Sequence, residues 1–330
     1  MSCYHIITRR NQRRGFTLIE LLVVIVIIGI LASLIFVGAG AARNSARRAV
    51  IKMDIAQVDG ALQRYKQAHG EYPPDFSDTE AVMRHVRKRW PKFNSGKIED
   101  LCEEIQKWSL HEAVIDGQKC WCVWDFAAEG ADHMAALAFW LGGLPESSTG
   151  LLGGFSADVS NPINVGLPGT ITQRETPLME LTLGGNCREY ILVDSTGTPL
   201  FGTGIEADPY PVLPAIVANK LPIVYFRASA AGDYLYKNSP KHIHFDHIGL
   251  DELGCAAPYA KSGTITEAVW HNPKSYQLIH PGLDGNFGGG GHPDFRVIDP
   301  ANDNSSPSFK LADRDNQANF GGVTIESAGN

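Results

Sequence analysis

The chain of 330 residues is short of several things that would place it at once. Its cysteines are few: Cys3, Cys102, Cys120, Cys122, Cys187 and Cys255. Cys120-Trp121-Cys122 is a C-x-C with no second metal-type pair, so isolated buried thiols are expected there rather than zinc. It has no basic surplus: 29 Lys+Arg face 36 Asp+Glu, a formal charge of −7. Residues 1–15 carry Arg9, Arg10, Arg13 and Arg14 and no acid, so the remainder stands at 25 minus 36, or −11. A chain that acidic is a poor ligand for a polyanion, and no nucleic acid is expected as a partner. There is no G-x-x-x-x-G-K-[ST] cradle for phosphates and no G-x-S-x-G elbow between a strand and a helix. Repeats and low-complexity tracts are also missing. With 44% hydrophobic residues the bulk of the chain is not disordered, and Gly 34 with Pro 19 argues against a purely helical bundle.

Long apolar runs are absent except for one. From Leu21 to Ala42 there are 22 residues without a charge, which as a helix extends about 33 Å, enough to cross a bilayer core. The arginines before it favour a cytoplasmic N-terminus and put everything after Ala42 on the outer side, although Arg43, Arg47 and Arg48 pull the other way. Two other readings compete. The run could be a buried core helix, or Ala39-Gly40-Ala41 could be a signal-peptidase site that frees a chain starting at Ala42.

The junction before the run is more specific than its hydropathy. Arg13-Arg14-Gly15-Phe16-Thr17-Leu18-Ile19-Glu20-Leu21-Leu22 sets a basic leader ending in glycine ahead of an apolar helix whose fifth residue is an acid. This resembles the type IV prepilin N-terminus shared by type IV pilins and type II secretion pseudopilins. The resemblance implies that a prepilin peptidase cuts between Gly15 and Phe16 and methylates the new N-terminus. It also implies that the Glu20 carboxylate attracts that amine, often a neighbouring subunit's, during filament assembly. A carboxylate at the edge of the hydrocarbon is costly when unpaired, so Glu20 is a functional candidate on physical grounds too, against the plainer reading that it marks the water interface. Loss of the leader removes Cys3 and leaves five cysteines. At least one thiol then stays unpaired or pairs between chains in an oxidising compartment.

Beyond the apolar run, Ala46, Ala49, Met53, Ile55, Val58, Leu62 and Tyr65 fall largely on three- and four-residue steps, predicting an amphipathic continuation over 43–70. Gly70 and then Pro73-Pro74 should end it. A single helix from Phe16 to His69, 54 residues, would span about 81 Å. Leu62, Tyr65, Gly70, Tyr72 and Pro73 again resemble pseudopilins. Further helices are expected at Thr79–Trp90, basic on its outside, at Ile98–Trp108, and at Ala131–Leu141 with Met134, Leu137, Ala138 and Leu141 on one face. Strands are expected at Leu178–Leu183, Glu189–Asp194, Pro222–Arg227, Ser275–His280 and Phe295–Ile298. The fold class is α+β, with a long N-terminal helix packed on a small, mainly antiparallel sheet head covering 71–330.

Two constellations in the head suggest site chemistry. Gly282-Leu283-Asp284-Gly285-Asn286-Phe287-Gly288-Gly289, followed later by Ala312-Asp313, resembles the calcium loop of major type II pseudopilins. Hard cations need several oxygens at flexible geometry. The resemblance makes Asp284 the first acid and Asp313 the second, with Asp294 and Asp315 as further candidate ligands within 282–320. Aspartates that merely form turns are the alternative. The other constellation, His242-Ile243-His244-Phe245-Asp246-His247, matches the H-x-H-x-D-H of zinc hydrolases of the metallo-β-lactamase fold. That fold puts the motif early, whereas here only 83 residues follow it. The expectation is therefore a non-enzymatic, single-pass subunit of a filament of the secretion-pseudopilin kind in the bacterial inner membrane, its head on the outer side. It would require no cofactor beyond possible structural Ca²⁺. Its partners would be a prepilin peptidase, membrane lipid, sister subunits and an assembly platform with a separate ATPase. A minor pilin or adhesin with an enlarged head, and a membrane-tethered zinc hydrolase, are the alternatives.

Overall fold

The computed structural model describes residues 16–93, 112–115, 118–121, 132–143, 152–162, 173–182, 185–191, 212–236, 239–241, 243–244, 251–264, 267–288, 296–297 and 315–320. The expected helix at 98–108 lies outside them. The chain divides into two compact units, Met1–Ala46 and Arg47–Asn330.

The helix α1 runs from Leu18 to His69 and so belongs to both units. In the first unit its apolar side chains are exposed all the way round from Leu18 to Leu31, with Leu18 at 87%. Among the described residues no helix is long and apolar enough to cross a membrane; the described side chains of this stretch stop at Ser33 and resume at Ala39. In the second unit Ile51, Ile55, Val58, Leu62 and Tyr65 are buried, alternating steps of four and three that keep one face on the core. This corrects the predicted stripe. Ile51 replaces Ala49 and Met53, and Met53 points outward at 71% exposure. Gly70 ends the helix as expected: its φ of +81° suits glycine, and its N–H donates to the Lys66 carbonyl at 2.7 Å.

Two shorter helices flank α1 in the head. Helix α2, Thr79–Arg89, is capped by the Asp78 carboxylate, which accepts from the Glu80 N–H at 2.9 Å. Its inner face is Val82, His85 and Val86, followed by Trp90. Helix α3, Asp132–Gly142, was expected to bury one face, but Ala135 through Leu141 are all buried. The reason is its position between two hydrophobic clusters. One contains Leu137, Phe139 and Trp140 together with the α1 face; the other takes Ala135 with Val224, Phe226 and Ile279.

The strands are short. They are β1 Glu112–Ile115, β2 Gln118–Trp121, β3 Cys187–Ile191, β4 Val212–Ala218, β5 Leu221–Pro222, β6 Val224–Arg227, β7 Leu235–Tyr236, β8 Ser239–Pro240, β9 Ile243–His244, β10 Cys255–Ala256, β11 Tyr259–Ser262, β12 Val269–Trp270, β13 Tyr276–His280, β14 Arg296–Val297 and β15 Gln317–Ala318. Sheets β15-β13-β6, β3-β4-β5 and β12-β11-β14 carry most of the pairing. All described ladders are antiparallel except β11 with β14. The α+β class and the mainly antiparallel head thus stand. The stretch expected as a strand at 178–183 is irregular where described. Leu178 and Met179 instead give their N–H groups to the Leu141 carbonyl, at 2.9 and 3.2 Å, satisfying an orphan acceptor at the end of α3. Strand β4 was not foreseen, since Pro214 interrupts it; it turns into β5 through Asn219 and Lys220, both at positive φ.

Candidate functional site

The start of α1 is locally self-contained. The Thr17 hydroxyl accepts from the Glu20 N–H at 3.3 Å, while Glu20 Oε2 accepts from the Thr17 N–H at 2.8 Å and from its hydroxyl at 2.7 Å. This reciprocal pairing is a capping box, and its signature, T-x-x-E before an apolar run, stands in the sequence at Thr17-Leu18-Ile19-Glu20. Both Thr17 bonds use Oε2; among the described residues Oε1 takes none. Phe16, the residue after the expected cut, is 76% exposed. Gly15 lies outside the described residues. Ala39-Gly40-Ala41 is helical, inside α1.

In the head, the turn 282–288 and the residue Asp315 come together. Asp315 Oδ2 accepts from the Asp284 N–H at 3.2 Å and, in a short bond, from the Leu283 N–H. Its Oδ1 receives Arg48 of α1 at 2.7 Å. Asp284 Oδ1 takes the Asn286 N–H, and Asn286 Oδ1 takes the Gly288 N–H. Gly282 is required here: its φ is +71°, and a Cβ would meet the Asp315 carbonyl at 2.2 Å. Asp315, expected as a metal ligand, thus spends its charge on Arg48 and two backbone donors. Asp284 is exposed at the tip of the turn. Asp294 and Asp313 lie outside the described residues, as do His242, Asp246 and His247. His244 is on β9, paired with Cys255 of β10, and its side chain is also outside them. Among the described residues no group of three or more His, Cys, Asp or Glu could hold a metal ion.

A third cluster was missed in the sequence. His85 Nε2 lies 2.6 Å from the Tyr65 hydroxyl and Nδ1 lies 2.8 Å from Glu71 Oε1. Arg89 donates to Tyr65 at 3.0 Å and to Glu175 at 2.9 Å, with its guanidinium against the rings of Trp90 and Phe155. Arg227 donates to Glu71 at 3.2 Å, and Lys241 to Asp75 at 2.7 Å. Burial drives the Tyr65 hydroxyl up to about 12, and drives His85 and His69 down to about 4. Burial favours a protonated Glu71, but the hydrogen bond from His85 and the charges of Arg227 and Lys88 outweigh it and hold that carboxylate below its ordinary range. The available signal was a histidine and an arginine at i and i+4 on the otherwise apolar face of α2.

Comparison with known proteins bears on about a quarter of the chain. Residues 10–36 match the prokaryotic N-terminal methylation motif. The chain is 40% identical over 75 residues to type II secretion system core protein G of Klebsiella michiganensis, covering 23% of this chain and 53% of that protein. It is 40% identical over 76 residues to the same-named protein of Pseudomonas aeruginosa, covering 23% and 54%, and 37% identical over 73 residues to that of Escherichia coli, covering 22% and 50%. The chain spans about half the length of the curated relatives it matches. No solved structure matches it. The resemblance of the N-terminal segment to prepilin-type proteins, read from Gly15, Phe16 and Glu20, is borne out.

Proposed function

We propose that the chain is a non-enzymatic structural subunit of a type IV pilus-like filament of the secretion-pseudopilin kind. A prepilin peptidase cuts after Gly15. The charge-free stretch Leu21–Ala42 anchors the protein once in the inner membrane, with the head on the outer side. An assembly platform driven by a separate ATPase then moves it into a filament in which sister helices replace lipid. The observation that carries this reading is the apolar half of α1, capped at its start and exposed on every side, joined in sequence to a head with its own core. A helix that is hydrophobic all round is stable only when enclosed. Mass spectrometry of the N-terminus of the mature protein tests it: a methylated chain beginning at Phe16 is expected, and one beginning at Met1 or Ala42 overturns it.

Calcium remains part of this reading through Asp284 with Asp313 or Asp294; the described geometry gives Asp315 the separate task of tying the turn to α1.

A further inference from the structure

His85 sits where its protons are dictated by its neighbours. Arg89 donates into the Tyr65 oxygen, so the phenol's own hydrogen is directed to His85 Nε2. A lone pair on Nδ1 would face the Glu71 carboxylate and be repelled, so Nδ1 carries the hydrogen and donates. The ring is neutral, both nitrogens are used, and its side chain is 1% exposed.

A second proton can enter only at Nε2, against the Tyr65 hydrogen. The phenol hydrogen then has to turn away from its acceptor, in a buried site where Trp140 of α3 meets both the His85 ring at 5.0 Å and the Tyr65 ring at 6.3 Å. The new cation would face Tyr65 and His69 from α1, Glu71 from the turn, Lys88 and Arg89 from its own helix, and Arg227 from β6. Among the described residues the one carboxylate against the ring, Glu71, is already shared with Lys88 and Arg227, and Glu175 is taken by Arg89. Protonation therefore takes away the acceptor of the Tyr65 hydroxyl hydrogen, and with it the present form of the bond that ties α2 to the end of α1.

We propose that His85 is a proton-operated latch that holds α2 on α1 near neutral pH and lets it lift away in acid. With the ring at about 4 when closed and 6.5 when open, the opening constant rises about twentyfold between pH 7 and pH 5. The consequence is an acid-sensitive head surface, with Arg84, Arg87 and Lys88 carried on the element that moves.

Amide hydrogen exchange of the full chain in detergent, expressed as protection factors for Val82–Arg89, reads the latch. Wild-type protection should fall about twentyfold from pH 7 to pH 5. His85→Gln, which can still donate to Glu71 and accept from Tyr65 but does not titrate, should flatten that dependence. PH-independent protection in the wild type overturns the proposal. An undiminished acid response in His85→Gln assigns it to Glu71 or His69 and also overturns the proposal. Should that variant fail to fold, the His85 ring resonance of the unaltered protein decides: titration below pH 5, moved lower still by Glu71→Gln, supports the latch, and titration near 6.5 ends it.

Discussion

In the proposed filament Glu20 would have two separable tasks. One of its oxygens closes the capping box with Thr17, and its charge is what a neighbour's amine would meet. Glutamine serves at this position of a capping box, so Glu20→Gln should leave helix content unchanged by circular dichroism while sharply reducing the fraction of chain recovered in sheared filaments. Glu20→Ala should lose both, with cleavage after Gly15 largely intact. Normal filament yield from the glutamine variant would show that the cap, not the charge, is what matters. Asp315 is the head's counterpart: Asp315→Ala leaves Arg48 without its carboxylate and the Leu283 and Asp284 donors without acceptors. A loss of about 2–3 kcal/mol in the denaturant-derived stability is expected. Because Asp315 holds the turn through its own hydrogen bonds, millimolar Ca²⁺ should still raise the melting temperature of that variant if Asp284 is a ligand. No shift in either protein would remove calcium from the reading.

At the scale of helices and strands, what the sequence made legible was decided by local chemistry. The Gly70-Pro73-Pro74 stop and, to within a residue, the bounds of α2 and β13 could be read, because each depends on neighbours in the chain. The buried face of α1, the enclosure of α3 and the loop at 178–182 could not, because they depend on which elements press against them from afar. The tie between Asp315 and Arg48, and the cluster joining Tyr65, Glu71, His85 and Arg227, also bridge distant positions, and no spacing announces them. Strand β13 carries a pH consequence of its own. His280 gives Nε2–H to the Ala218 carbonyl at 2.9 Å and accepts from the Gly282 N–H at 3.1 Å, so it must be neutral, and burial brings it down to about 4. His271 is lowered to about 4 in the same way. A base that is weaker in the fold than in the open chain takes up protons on unfolding. Stability should therefore be full above about pH 6.5 and decline towards pH 4, by up to about 1.4 kcal/mol per pH unit for each such group. Urea midpoints at pH 7 and pH 5 check this. His280→Gln should shrink the difference, and equal midpoints in the unaltered protein would refute it.

For the molecule as a whole, the division at Ala46 and Arg47 separates a stretch whose described side chains form no core of their own from a head that has one. A chain beginning at Arg47 should therefore keep the head's thermal transition, dissolve without detergent and sediment as a monomer. Aggregation or loss of the transition would mean that the apolar half props up the head. The exposed half itself sets how copies can gather. A narrow greasy seam would be satisfied by one companion, but Leu21, Leu22, Val23, Val24, Ile25, Val26, Ile27 and Ile28 follow one another without a break and so cover the full circumference, each between 43% and 59% exposed. Pairs and triplets would still leave flanks facing water, so small clusters gain little by leaving the lipid. The stable product is one in which every rod is ringed, and its growth should set in abruptly above a threshold concentration rather than proceed through soluble dimers.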